Sequence, residues 1–188
     1  MWTEFVSAAC LISNGKDKLL IDLKFSQKQK PIVAQLFTGH PQAMLESAKL
    51  VRKMKFDGLD INMGCPDRAV ERQGGGAAHI KDWDNARKIV ESARNGAEGI
   101  PISVKTRLGY NKIDIDGWIK FLLEIKLPAL TVHLRSRKEM SAVPAHWELM
   151  PEIIKLRNKV SPDTLIIGNG DVESIEDAKQ KINKYGCD

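Results

Sequence analysis

Apolar residues gather in short dense runs, and the stretches between them carry apolar residues at helical spacing. The runs cover residues 2–6, 31–37, 58–63, 100–105, 129–133 and 164–169. Runs this dense suit strands covered on both faces, as in parallel sheets. Between them, Met44, Ala48 and Val51 fall at i, i+4 and i+7 behind Pro41, which suits a first helical turn. Trp83, Ala86, Val90 and Ala93 mark a second helix, Trp118, Leu122 and Ile125 a third, and Trp147, Met150 and Ile154 a fourth. Ile175, Ala178, Ile182 and Tyr185 mark a fifth, with Ser174 as its N-cap. Strand and helix thus alternate with a period of roughly 30–40 residues, the size of a βα unit.

Two α/β architectures fit this alternation, a doubly wound sheet and a (β/α)8 TIM barrel. No G-x-G-x-x-G follows the first strand, which counts against a dinucleotide-binding doubly wound sheet. Polar residues instead stand at the carboxyl ends of successive strands: Gln35, Asn62, Lys105, His133 and Asn169. Barrel enzymes place their chemistry at that end, so the pattern favours the barrel.

Composition narrows the class further. The 188 residues suit one folded domain, and 43% apolar with 28% charged residues excludes global disorder. No apolar run approaches the ~20 residues of a membrane span. The first residues lack the basic and apolar regions of a signal peptide, and the chain reads as cytoplasmic. A formal net charge of +5 is compatible with a polyanion partner without specifying one. Cys10, Cys65 and Cys187 are odd in number and far apart, so neither a disulfide framework nor a structural metal site is expected.

The sharpest candidate chemistry lies at Asp60-Ile61-Asn62-Met63-Gly64-Cys65-Pro66, followed by Gly74-Gly75-Gly76-Ala77-Ala78. A thiol in a turn at a strand's end can serve as nucleophile or proton donor, or simply as a small buried hydrophobe. The glycines fit a flexible loop, a close backbone approach or a phosphate cradle, but no Walker A sequence follows. Strand alternation puts Lys105 and Arg107 on one side, where they either meet an anionic or carbonyl-rich ligand or reach solvent. His133 would point to the same end, in a structural or a catalytic role. Asn169 and Gly170 fit a ribose or phosphate approach, or an ordinary turn. The Gln35 amide could read a ring carbonyl and N–H, or cap its strand. Convergence of five such ends makes a single site a better account than any one residue does.

Taken together, several of these segments resemble the tRNA-dihydrouridine synthases. They are Asn62-Met63-Gly64-Cys65-Pro66, Gly74-Gly75-Gly76-Ala77-Ala78, Val104-Lys105-Thr106-Arg107-Leu108-Gly109, Val132-His133-Leu134-Arg135-Ser136-Arg137, Pro144-Ala145-His146-Trp147 and Ile167-Gly168-Asn169-Gly170-Asp171. The resemblance covers essentially the whole chain and implies an FMN-binding TIM barrel, with NADPH as reductant and tRNA as substrate. It implies that Cys65 is the general acid that protonates C5 of uracil while a hydride reaches C6. By the same likeness, Asn62 and Arg107 face the substrate, and Gln35, Lys105, His133, Asn169 and Gly170 hold the flavin.

The same resemblance implies that residues 1–188 form one partial barrel domain holding the family's strands 2 to 7. The first and eighth strands and the C-terminal helical tRNA-binding domain would lie outside this chain, leaving two open sheet edges and an incomplete catalyst. Leu134 stands where the family usually has glycine, and His79 where an aliphatic residue is usual. Two rival expectations are another FMN-barrel pyrimidine dehydrogenase and a non-catalytic RNA-binding fragment. The Pro-Ala-His-Trp segment and the Asn-Met-Gly-Cys-Pro turn favour the tRNA enzyme. The sequence does not set the oligomeric state or the uridine position.

Overall fold

The computed structural model describes residues 1–13 and 19–188. The chain divides into two compact units, Met1–Ser103 and Val104–Asp188.

The first unit holds β1 (Trp2–Ser7), the short α1 (Ala8–Leu11), β2 (Val33–Phe37), α2 (Pro41–Lys53), β3 (Gly58–Met63), α3 (Arg68–Arg72) and α4 (Trp83–Gly96). β1 pairs parallel with β2, and β2 parallel with β3. Every residue of β3 is buried. Leu59, Ile61 and Met63 lie on one face at 0% exposure, and alternation sends Asp60 and Asn62 to the other. The register sets Gln35 beside Asp60. α2 begins with Pro41 and buries Met44, Ala48 and Val51, as the spacing requires. It packs against α4, which buries Ala86, Ile89, Val90 and Ala93.

The second unit continues β4 (Ile102–Arg107) from Val104 and adds a π-helical turn (Ile115–Ile119) running into α5 (Lys120–Glu124). β5 (Ala129–His133), α6 (Met150–Val160), β6 (Leu165–Asn169) and α7 (Ile175–Tyr185) follow. β4, β5 and β6 pair in parallel, and the register aligns Arg107 with His133 and His133 with Asn169. One face of these strands is closed: Val104, Leu130, Val132 and Ile166 are fully buried. On the other face Lys105, Thr131, His133, Ile167 and Asn169 are half-buried. Trp118 is completely buried and donates its indole N–H to Thr106 Oγ1 at 2.8 Å.

The α/β class and the six strands are as the pattern indicates, and coverage is where the structure differs. The run at 2–6 forms β1, but Trp2 and Phe5 are 49% and 39% exposed, because β2 supports this strand on one side only. Ser174 does cap α7 by accepting from the Asp177 N–H. Yet the apolar stripe of that helix is largely wet, with Ile175 at 70% and Ile182 at 43% exposure. Tyr185 is its main anchor, stacked on Trp147. In α6 Met150 is buried as the spacing requires, but the next buried position is Ile153, and Ile154 is half-buried.

Candidate functional site

The predicted site residues fall into two groups, one in each unit. In the first unit a hydrogen-bond chain runs from a buried carboxylate to the cysteine turn. Asp60 is 1% exposed. Its Oδ2 accepts from Gln35 Nε2 at 2.7 Å, and its Oδ1 accepts from the Ser103 hydroxyl. Gln35 Oε1 in turn accepts from Asn62 Nδ2 at 3.1 Å. Asn62 Oδ1 accepts from the backbone N–H of Gly64 at 3.1 Å and of Cys65 at 2.9 Å. Each link fixes the next. A carboxylate only accepts, so Gln35 must turn its NH2 to Asp60 and its oxygen to Asn62. Asn62 must then turn its own oxygen to the cysteine turn.

Cys65 is half-buried. Its carbonyl accepts from the Ala77 N–H at 2.9 Å. This contact explains the glycine run. Gly76 has φ +57, and a Cβ there would lie 2.6 Å from the Cys65 carbonyl oxygen and 3.1 Å from the Cys65 Cβ. The run is therefore a close backbone approach to the cysteine turn. His79, buried at 1% exposure, closes the same arrangement by donating from Nε2 to the Thr38 carbonyl at 3.0 Å. Burial pushes its pKa down to about 4, so the ring is neutral at physiological pH. Arg68, Arg72 and Lys81, with Glu71, line an open cleft just after the cysteine turn.

In the second unit the organising groups are charged. Arg107 is buried and donates from Nη1 to the carbonyls of Ser136 and Met140, both at 3.2 Å. Arg135 is also buried. Its Nη2 meets both oxygens of Asp171 at 2.6 Å, its Nε donates to the Val143 carbonyl at 2.6 Å, and its Nη1 reaches His133 Nε2 at 3.2 Å. Burial and the nearby Arg107, Lys105 and Arg135 cations push the His133 pKa down to about 4. The Asp171 carboxyl is held below its usual range by the Ala145 N–H and by Arg135. Asp171 thus ties the Ala145-His146-Trp147 segment to the end of β6. Trp147 strengthens that tie by donating its indole N–H to the Gly170 carbonyl at 2.8 Å.

A third arrangement braces the loop after β5. Glu139 Oε2 accepts from the backbone N–H and hydroxyl of Ser136, at 2.7 and 2.9 Å. Its Oε1 pairs with His146 Nε2 at 3.0 Å, and His146 Nδ1 pairs with Glu148 at 3.1 Å. Hydrogen bonding to Glu139 raises the His146 pKa above its usual value.

Gln35, Asn62 and Cys65 are therefore brought together in the first unit, and Arg107, His133 and Asn169 stand in register in the second. Lys105 lies two residues before Arg107 on the same side of β4. Sequence reasoning gave no role to Asp60, Arg135, Asp171 or His146, although each stands in a segment it singled out, and it passed over Glu139. Period-two reading of β3 could have found Asp60, which shares the face of Asn62. No local signal linked Arg135 to Asp171, 36 positions away. Among the described residues no group of three or more His, Cys, Asp or Glu side chains is arranged to hold a metal ion, and no helix is long and apolar enough to cross a membrane.

These features define a parallel βα protein with polar machinery at the carboxyl ends of its strands. A family model described as dihydrouridine synthase (Dus) matches residues 1–188. The chain belongs to the dihydrouridine synthase family. It is 41% identical over 167 residues to the probable tRNA-dihydrouridine synthase of Staphylococcus aureus strain COL, covering 88% of this chain and 50% of that protein. It is 39% identical over 189 residues to the probable tRNA-dihydrouridine synthase 2 of Bacillus subtilis strain 168, covering 100% of this chain and 58% of that protein. The chain thus spans between half and three-fifths of the length of these curated relatives.

Proposed function

We propose that this chain carries the flavin-dependent reduction of uridine to 5,6-dihydrouridine in tRNA, with NADPH as the reductant. The βα order suits six consecutive strands of a (β/α)8 barrel, whose active residues lie at the carboxyl ends. The observation that carries this reading is the chain of hydrogen bonds from Asp60 through Gln35 and Asn62 to the Cys65 turn. A cysteine that only fills a core needs no such support. A thiol that must meet one carbon of a bound pyrimidine does.

In this reading Cys65 Sγ gives its proton to C5 of the uracil. Asn62 and Gln35 each keep one amide N–H beyond the chain described above, and these are suited to pyrimidine and flavin carbonyls. Arg107 serves the substrate side by fixing the 136–140 backbone. The donor set of the second unit fits FMN: Lys105 offers a cation and His133 a neutral donor to an electron-rich ring, and Asn169 and Gly170 offer polar backbone to the ribityl-phosphate. When bound, FMN supplies hydride chemistry, with NADPH as the source of electrons. The positive net charge and the cleft of Arg68, Arg72 and Lys81 suit a polyanionic RNA. The target uracil leaves the RNA stack to be reached.

The test is the visible spectrum of the purified chain with FMN before and after desalting, followed by a dihydrouridine assay on tRNA. Retained flavin and dihydrouridine formation support the reading. RNA binding without flavin retention would replace it with a binding-only role.

A further inference from the structure

We infer that Arg135, anchored by Asp171, locks His133 as the Nδ1–H tautomer, so that His133 presents a hydrogen-bond donor and selects an acceptor atom on its ligand. The argument is one of donors and acceptors. Arg135 Nη1 lies 3.2 Å from His133 Nε2. A guanidinium has no lone pair to offer, so Nε2 must be the acceptor and cannot carry a proton. The ring's remaining proton is then on Nδ1.

Rotation cannot easily escape this arrangement. The other guanidinium nitrogens are committed to both Asp171 oxygens and to the Val143 carbonyl, which fixes the fork. Along its Cδ2–Nε2 edge the ring also lies against Gly170, where a Cβ would come within 3.0 Å of His133 Cδ2 and 3.1 Å of Nε2. Gly170 has φ +116, a conformation that disfavours any side chain. The charged groups acting on the ring are the cations Arg107, Lys105 and Arg135 and the single anion Asp171, and with burial they hold its pKa near 4. Protonation would place an N–H against Arg135. The ring therefore works across the physiological range as a neutral donor and is not a proton carrier.

Among the described residues the structure gives Nδ1 no acceptor, which leaves it to a ligand. The chemical class follows: a carbonyl oxygen, an unprotonated ring nitrogen or an anionic oxygen, and not an N–H group. Assigning that acceptor to a flavin rests on the function proposed above, and the tautomer does not. Arg135 is a positioning residue in this scheme, acting through His133.

The experiment is nitrogen and carbon NMR of the histidine side chains in the chain without added ligand, between pH 5 and 8. His133→Gln identifies the resonance among the four histidines. The expected result is a neutral Nδ1–H ring for His133 throughout, beside a neutral Nε2–H ring for His79. An Nε2–H tautomer, or titration near pH 6.5, overturns the proposal in the unmodified protein. Arg135→Ala should release the ring to the Nε2–H form and raise its titration midpoint from about 4, with the other histidine signals unchanged. If that variant fails to fold, Asp171→Asn, which frees the fork, should give a mixture of tautomers. An unchanged His133 in either folded variant also overturns the lock. Adding FMN should then shift the Nδ1 resonance. An intact tautomer with no FMN response would sink the flavin reading alone.

Discussion

The two polar groupings are built on opposite principles. In the first unit one buried carboxyl group, Asp60, orders a chain of neutral amides that ends on backbone N–H groups. In the second unit three cations crowd a neutral imidazole, and the carboxylate that balances them, Asp171, is itself 44% exposed. A chain of buried amides specifies direction, because every link has a single satisfying orientation. A cluster of cations with a wet counter-ion specifies charge, and water and salt reach it. The first arrangement suits a group that must be placed, the Cys65 thiol. The second suits an electron-rich ligand that must be attracted.

This contrast can be broken at its strongest point. Asp60→Ala strands the Gln35 amide and the Ser103 hydroxyl in a buried setting and should cost about 3 kcal/mol or more, read by urea denaturation. Arg135→Ala should cost less, about 2 kcal/mol, because the Asp171 left behind is already partly hydrated. An inverted order would mean that the second arrangement, not the first, is the buried framework.

Acid sharpens the comparison. His79 and His133 both have folded pKa values near 4, below the 6.5 of an unfolded histidine. The unfolded chain therefore takes up protons first as pH falls. Their stabilisation is complete above pH 6.5 and is lost between pH 6.5 and 4. The loss from His79 is roughly 3 kcal/mol by pH 4, and that from half-buried His133 is smaller. His146 runs the other way: its raised pKa gives stability below pH 6.5 that disappears as pH rises through the folded value. Urea midpoints between pH 4 and 8 check the balance, and His79→Gln should flatten the acid limb.

Two smaller effects separate backbone from charge. Gly76→Ala, at φ +57 and against the Cys65 carbonyl, should cost about 2 kcal/mol and change the alkylation rate of Cys65. Glu139→Gln weakens a part-exposed pair with His146 and should cost about 1 kcal/mol, shrinking in high salt.

How much of this is legible in sequence follows from range. Strands with period-two polarity and helices with period 3.6 are local, so β3 and α2 can be read directly, and so can the row of polar strand ends. The direction of the amide chain cannot, because Gln35 and Asp60 meet only through strand pairing across 25 positions. Nor can the Arg135–Asp171 anchor. The amphipathic stripe of Ile175 and Ile182 is visible, but a pattern gives a face and not what covers it, and in the structure that face is wet. In sequence the glycine run fits a flexible loop, a close backbone approach or a phosphate cradle, and only the fold selects the approach of Gly76 to the Cys65 carbonyl.

Cys65 carries the central claim, and single-turnover kinetics test it most directly. The chain is loaded with FMN, reduced, and mixed with unmodified tRNA, for the parent and for Cys65→Ala. If Cys65 is the general acid, the variant keeps its flavin and forms dihydrouridine about 10²- to 10⁴-fold more slowly. Equal rates in the two proteins would contradict that role and leave the ordered amide chain without the purpose assigned to it.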